Sequence, residues 1–271
     1  MPSVQARAKD LWAVFSFGLC IAFLSVVFSF LILPWVNYPW WMIVRRCVSI
    51  AAIVTLVIFV RGLEHRSLRS YGFPRHSCST RLFLSGVWLG LAALGMLFVS
   101  GLITGTCRIQ VTSDHLRLWR TVIGFFPIAF LVSILEELVF RGFILQHLLS
   151  YSKTIGLVIS SSLYSLVHLK HLNIELSTWL ELGGLFLLGF ILGLSYLRTR
   201  QLYFAMGLHA ILAYGSRINK LLVEFPNPSI SWLVGTHRLV NGLAGWTMLL
   251  LLGVIIVSWS RLRQQGGLHG T

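Results

Sequence analysis

The sequence predicts an all-α fold, a polytopic transmembrane helical bundle of about eight spans, since apolar stretches near the ~20 residues of a spanning helix recur along it. Composition points the same way. Hydrophobic residues make up 56% of the 271-residue chain and charged residues only 11%, with a mean hydropathy of +0.81. That is too little polar surface to cover a water-soluble domain, where charged residues are ordinarily about a quarter.

The first apolar stretch, 11–33, follows Arg7 and Lys9. It lacks a short apolar core with a small-residue cleavage site after it, so it is expected as an uncleaved anchor. The second, 39–60, is entered through Trp35, Trp40 and Trp41, which suit an interfacial aromatic belt. A third follows at 82–104. The fourth, 121–149, is long for one crossing, and Arg141-Gly142 marks the expected place of a bend toward a polar surface. Stretches 154–168 and 201–215 are short, as tilted or partly re-entrant helices are, and the second runs into Arg217 and Lys220. Stretches 176–197 and 242–260 complete the set.

Two polar stretches, 61–81 and 216–241, interrupt this pattern. The first mixes bases with Leu63, Leu68 and Tyr71, as a segment lying along the headgroup layer would. The second contains Pro226-Asn227-Pro228, a turn signal. With no Ser- or Gly-rich linker and no repeat period, residues 1–271 are expected to form a single integral membrane domain.

A formal charge of +14 raises the question of nucleic acid, but the bases are scattered through short loops without a basic tail or stacking platform. No nucleic-acid partner is expected; the lipid bilayer is the natural one. The distribution of Lys and Arg between the two sides favours cytoplasmic termini by the positive-inside rule. A bacterial cytoplasmic (inner) membrane is the expected location. Cys20, Cys47, Cys78 and Cys107 form no CxxC, which argues against a disulfide framework or a thiolate metal site.

Against this background Glu136 and Glu137 stand out: they are adjacent in an oily stretch of a chain with only 8 acidic residues. A charge at mid-bilayer depth costs about 2.5 kcal/mol or more, so intramembrane charges usually face a polar interior and serve an ion path or a reaction. Glu137 and Arg141, four residues apart, share a helical face and can form a local ion pair. That pairing accounts for Glu137 and leaves Glu136 to be explained by chemistry.

Of nine histidines, His147, His168 and His209 fall in apolar surroundings. A lone histidine on an apolar face is more often a packing residue than an actor. Joined with Glu136 on separate spans, His168 and His209 acquire a different meaning. A carboxylate and an imidazole in a dry cavity can deprotonate water, because desolvation raises the Glu toward useful base strength. A second imidazole can donate a hydrogen bond to the oxyanion formed when that water attacks a carbonyl, a task that suits His209.

Glu136-Glu137-Leu138-Val139-Phe140-Arg141 resembles the EExxxR signature of the CPBP intramembrane proteases, also called the ABI or CAAX-protease-like family. Tyr164-xxx-His168 is similar to that family's FxxxH motif with Tyr for Phe, and His209 stands where its third motif begins, all in the family's order. The resemblance covers about 120–215. It implies Glu136 as the general base that activates water with His168, Glu137 and Arg141 as supports of the site, and His209 as part of the oxyanion hole. A membrane-associated protein or peptide would be the substrate, and no cofactor would be needed.

The chain departs from that pattern at Ala213, where HxxxN or HxxxD is usual. An alanine cannot donate to an oxyanion; Tyr214 and Asn219 are the nearby residues able to compensate. The same departure supports a different reading, a catalytically weak or inactive member acting as membrane chaperone, scaffold or immunity protein. A zinc hydrolase with Glu136, His168 and His209 as ligands is a third, opposed by the absence of HExxH and by the charge of Arg141. A proton-coupled transporter is a fourth, weakened by the absence of a repeat or a broken-helix pair.

Overall fold

The computed structural model describes residues 3–74, 78–169, 175–236 and 240–266. The polar stretches 61–81 and 216–241 therefore each include positions outside the described residues. Among those described, eight long helices follow in order: α1 Val4–Ile32, α2 Trp40–Val57, α3 Ser79–Ile103, α4 His115–Glu137, α5 Lys153–Val167, α6 Leu176–Thr199, α7 Tyr203–Leu222 and α8 Leu243–Gly266. Each coincides with one expected apolar stretch. Five are long and apolar enough to cross a membrane: α1, α2, α3, α6, and α4 with its continuation to Leu148. Helices α5 and α8 are shorter apolar helices, and α7 carries Arg217 and Lys220 near its end. Large apolar side chains such as Trp12, Phe23 and Leu31 on α1 and Trp88 on α3 are more than half exposed. A lipid solvent accommodates them; water would not.

The chain divides into two compact units, Met1–Pro74 with Leu135–Gly156, and Arg75–Ile134 with Leu157–Thr271.

In the first unit α1 and α2 pack as a hairpin across a turn at Leu33–Trp35. Ser3 opens α1 by accepting a hydrogen bond from the Ala6 amide, the usual N-cap device. Trp40 Nε1 donates to Ser29 Oγ over 3.0 Å, tying the two helices near the turn. The core is aromatic: Phe17 stacks on Phe143 at 4.3 Å, and Phe59 meets both edge-on. After α2 the chain passes through a π-helical turn, Ile58–Leu63, and a 3-10 turn, Leu68–Tyr71. That turn ends at Gly72, whose φ of +109° is open to glycine at no steric cost. Glu64 fixes this segment: it accepts a hydrogen bond from the Tyr71 hydroxyl, and His147 Nε2 lies 2.8 Å from its other oxygen.

In the second unit α3 and α7 pack closely along each other. Glycines permit it. A Cβ on Gly86 would lie 2.2 Å from the Phe204 carbonyl oxygen, and one on Gly207 would lie 2.3 Å from that of Phe83. Small residues that let backbones approach are the usual adhesive where lipid removes the hydrophobic drive between helices. Helices α6 and α8 use the same device at Gly183 and Gly184 against Trp246, whose indole donates to the Leu180 and Val240 carbonyls, each at 3.1 Å. A two-residue antiparallel ladder pairs β1, Arg108–Ile109, with β2, Val223–Glu224, and the Arg108–Glu224 ion pair at 2.5 Å closes it.

Candidate active site

Helix α4 changes character at the paired glutamates. Its α-helical hydrogen bonding ends at Glu137 and continues as a π-helix over Leu138–Leu145, then as Gln146–Leu148. Where a bend toward a polar surface is expected, at Arg141-Gly142, the structure has a widened helix with both residues buried. Such π segments are rare and concentrate at functional sites, because the extra residue per turn re-aims the side chains that follow. At Gly142 a Cβ would lie 3.0 Å from the Tyr71 carbonyl oxygen, so this turn packs against backbone.

Glu137 and Arg141 form the ion pair their spacing predicts, Oε1 to Nη1 at 2.7 Å, with side chains 0% and 1% exposed. Two opposite charges held this deep neutralise each other where either alone would be costly. Glu136, one residue earlier, is half-buried.

The imidazoles belong to the second unit. Helix α5 ends at Val167, and His168 follows with its amide donating to Ser165 O and its Nδ1 2.7 Å from Tyr164 O. A carbonyl only accepts, so Nδ1 carries the proton and Nε2 of the neutral ring presents its lone pair, the form required of a base. His209, on α7, is 4% exposed and meets the Tyr164 ring edge-on at 81°. Its Nε2 lies 3.4 Å from the Tyr164 hydroxyl. Tyr164 thus touches both histidines, one through its backbone and one through its side chain. Its ring is held by α6, where a Cβ on Gly189 would come within 3.2 Å of both Tyr164 Cδ1 and Ser161 Cα.

Of the residues implicated by sequence, the first unit joins Glu137 with Arg141 and also carries Glu136, while the second joins Tyr164 with His168 and His209. The compensating residues considered for Ala213 go elsewhere. The Tyr214 hydroxyl donates to Val122 O at 2.9 Å, and both Tyr214 and Asn219 line an apolar cavity of about 780 Å³ with Leu94, Phe98, Ile218 and Leu222. Among the described residues no three His, Cys, Asp or Glu side chains form a metal-ligand group.

Two features escaped sequence reasoning. The contact between Tyr164 and His209 joins residues 45 positions apart, and the Glu64–His147 contact joins residues 83 apart. No periodicity signals either one. The substitution of Tyr for the usual Phe was the available clue to the first.

Residues 118–214 match the family model described as Rce1-like, type II CAAX prenyl endopeptidase Rce1-like. No curated protein and no solved structure gave a match. The matched segment holds Glu136, Glu137, Arg141, Tyr164, His168 and His209, so over residues 118–214 the chain is similar to the CPBP, or CAAX-protease-like, family.

Proposed function

We propose that the chain is an intramembrane endopeptidase of the glutamate type, hydrolysing a peptide bond in a membrane-associated protein or peptide. The observation that carries this reading is the protease-family match over residues 118–214, the segment that contains Glu136, His168 and His209. The His168 tautomer supports it, because the Tyr164 carbonyl leaves Nε2 as the basic nitrogen.

In this mechanism the Glu136 carboxylate, helped by His168, takes a proton from water as the hydroxide adds to the scissile carbonyl. The developing oxyanion is stabilised by donors that include His209. Collapse breaks the C–N bond, and the proton held at the site passes to the leaving amine. Glu137 and Arg141 hold the end of α4 in place as a neutral pair. No step requires a metal or cofactor. We place both termini in the cytoplasm of a bacterial inner membrane, following the distribution of basic residues.

The test uses protein reconstituted in phospholipid vesicles and, as probe, a quenched fluorogenic peptide bearing a farnesylated cysteine, cleavage being confirmed by mass spectrometry. Glu136→Gln nearly preserves shape but cannot accept the proton, so turnover should fall by ~10²–10⁴-fold, the usual worth of a positioned acid–base group. Turnover unchanged in that variant removes Glu136 as the base. Activity should also survive 1,10-phenanthroline; loss restored by added zinc would replace this mechanism with metal-assisted hydrolysis. Ala213 favours one second reading, an inactive member that binds a partner. Intact folding with no cleavage of any membrane-anchored probe, by the native protein, would establish it.

A further inference from the structure

We propose that the segment Arg61–Tyr71 is a docking surface for the headgroups of anionic phospholipids, and that their binding steadies the π-helix that follows Glu136 and Glu137. The binding stands on its own; its effect on turnover rests on the endopeptidase reading above.

Depth is the first observation. The span Trp40–Leu63 is 24 residues long, about 36 Å at 1.5 Å per residue, against ~30 Å of hydrocarbon. With Trp40 and Trp41 at one interface, Arg61 and the residues after it emerge at the other. The span that carries Glu136 reaches the same layer at Leu148, since His147 Nε2 lies 2.8 Å from Glu64.

Charge is the second. Arg61, Arg66 and Arg69 are exposed, and among the described residues none of them enters an ion pair. The segment's one carboxylate, Glu64, is turned inward, where the Tyr71 hydroxyl donates to one oxygen and His147 holds the other. Three guanidiniums therefore face outward beside Leu63, which is also exposed. Lipid phosphates match this surface: guanidinium forks bind phosphate oxygens in pairs, and bases flanking a span are drawn to an anionic leaflet.

The inner face of the segment supplies the link to the site. The Tyr71 ring, 1% exposed, stacks on Phe143 at 6.0 Å, and its carbonyl oxygen lies against Gly142. His147 Nδ1 is 2.8 Å from Phe143 O, so the imidazole bridges the π-helix and Glu64. The segment thus splints the helix from Gly142 to His147. Without counterions the three guanidiniums repel one another and strain the splint away from the helix. Headgroup phosphates relieve that repulsion and keep the segment seated.

The experiment uses the full chain in vesicles of phosphatidylcholine, with and without phosphatidylglycerol. Photoactivatable phosphatidylglycerol should label residues 61–71 in the native protein, as peptide mass spectrometry reads. Arg61→Gln, Arg66→Gln and Arg69→Gln should each lower that labelling about fivefold, and together on the order of 10²-fold. For the farnesylated fluorogenic peptide, phosphatidylglycerol should raise native kcat about fivefold or more, the lower end of ordinary coupling between sites, with KM little changed. In the triple variant the two vesicle types should give the same kcat. Glu64→Ala opens the tie to His147 and leaves the arginines, so labelling should persist while the kcat response is lost; Tyr71→Phe is the milder second variant. Thermal midpoints establish that each is folded.

Native labelling in the triple variant overturns the docking surface, and so does free glycerol phosphate reproducing the rise in phosphatidylcholine alone. A native kcat indifferent to phosphatidylglycerol, or a full response in both Glu64→Ala and Tyr71→Phe, overturns the link to the site. Glu136→Gln separates the two readings. It should abolish cleavage and keep the labelling; if it cleaves normally, the endopeptidase mechanism fails while the labelling still decides the docking surface.

Discussion

Replacing Gly207 by alanine adds one carbon at a close approach of α3 and α7, and its consequence can be worked from distances. The new Cβ would lie 2.3 Å from the Phe83 carbonyl oxygen and 3.1 Å from the Val87 amide nitrogen. A carbon ordinarily approaches a carbonyl oxygen no closer than about 3.3 Å, so the helices must part by about 1 Å. Neither obstacle is the end of a flexible side chain; both are backbone. Overpacking of this kind costs about 1–3 kcal/mol. At about 2–4 °C per kcal/mol for a chain of this size, the thermal midpoint in detergent should drop by roughly 2–12 °C. Gly207 lies two residues before His209 on the same helix, so the displacement is carried into the site, where a shift near 1 Å can lower turnover ~10²-fold. The reciprocal Gly86→Ala, whose Cβ would meet the Phe204 oxygen at 2.2 Å, should produce the same pair of effects. Combining both should cost less than their sum, since one separation relieves both clashes. Gly95→Ala on α3 is the control, with nothing within 4 Å of its Cβ; there alanine should leave turnover intact and raise stability by up to ~1 kcal/mol through helix propensity. Gly207→Ala matching Gly95→Ala in both midpoint and turnover would refute the reasoning.

Two further predictions concern charge and thiol chemistry. Arg141→Met takes the cation away from a carboxylate that is 0% exposed, and should cost about 3–5 kcal/mol in thermal unfolding. Adding Glu137→Leu should recover most of that loss, and equal midpoints for single and double variants would contradict the buried-pair account. Burial raises the Cys107 thiol above its ordinary range, so at any given pH it holds less thiolate. Its alkylation by iodoacetamide should therefore lag that of partly exposed Cys78 and rise only at higher pH, as peptide mass spectrometry would report; equal rates from pH 7 to 9 would contradict it.

The helices were readable because the bilayer imposes a length. Each of the eight long helices falls on an apolar stretch marked in the sequence, and even the weak ones at 154–168 and 201–215 became α5 and α7. The Glu137–Arg141 pair was readable for a related reason: four residues on a helix bring side chains together without help from the rest of the chain. The change to a π-helix immediately after Glu137 was not signalled; the sequence suggested only a bend toward a polar surface at Arg141-Gly142. Its form depends on hydrogen-bond partners that no residue type dictates.

Local order therefore set the membrane class, the helix positions, the ion pair and the protease signature of this chain. Folding in three dimensions decided which polar groups share a site. Ala213, Tyr214 and Asn219 are close together in the chain, yet a helix turns about 100° per residue; the Tyr214 hydroxyl donates to Val122 O, and Tyr214 and Asn219 line an apolar cavity. The hydroxyl that reaches His209 comes from a different helix, held there by the glycine surface of α6. Polar neighbours are assigned by packing, and packing is a property of surfaces that meet only after the chain has folded.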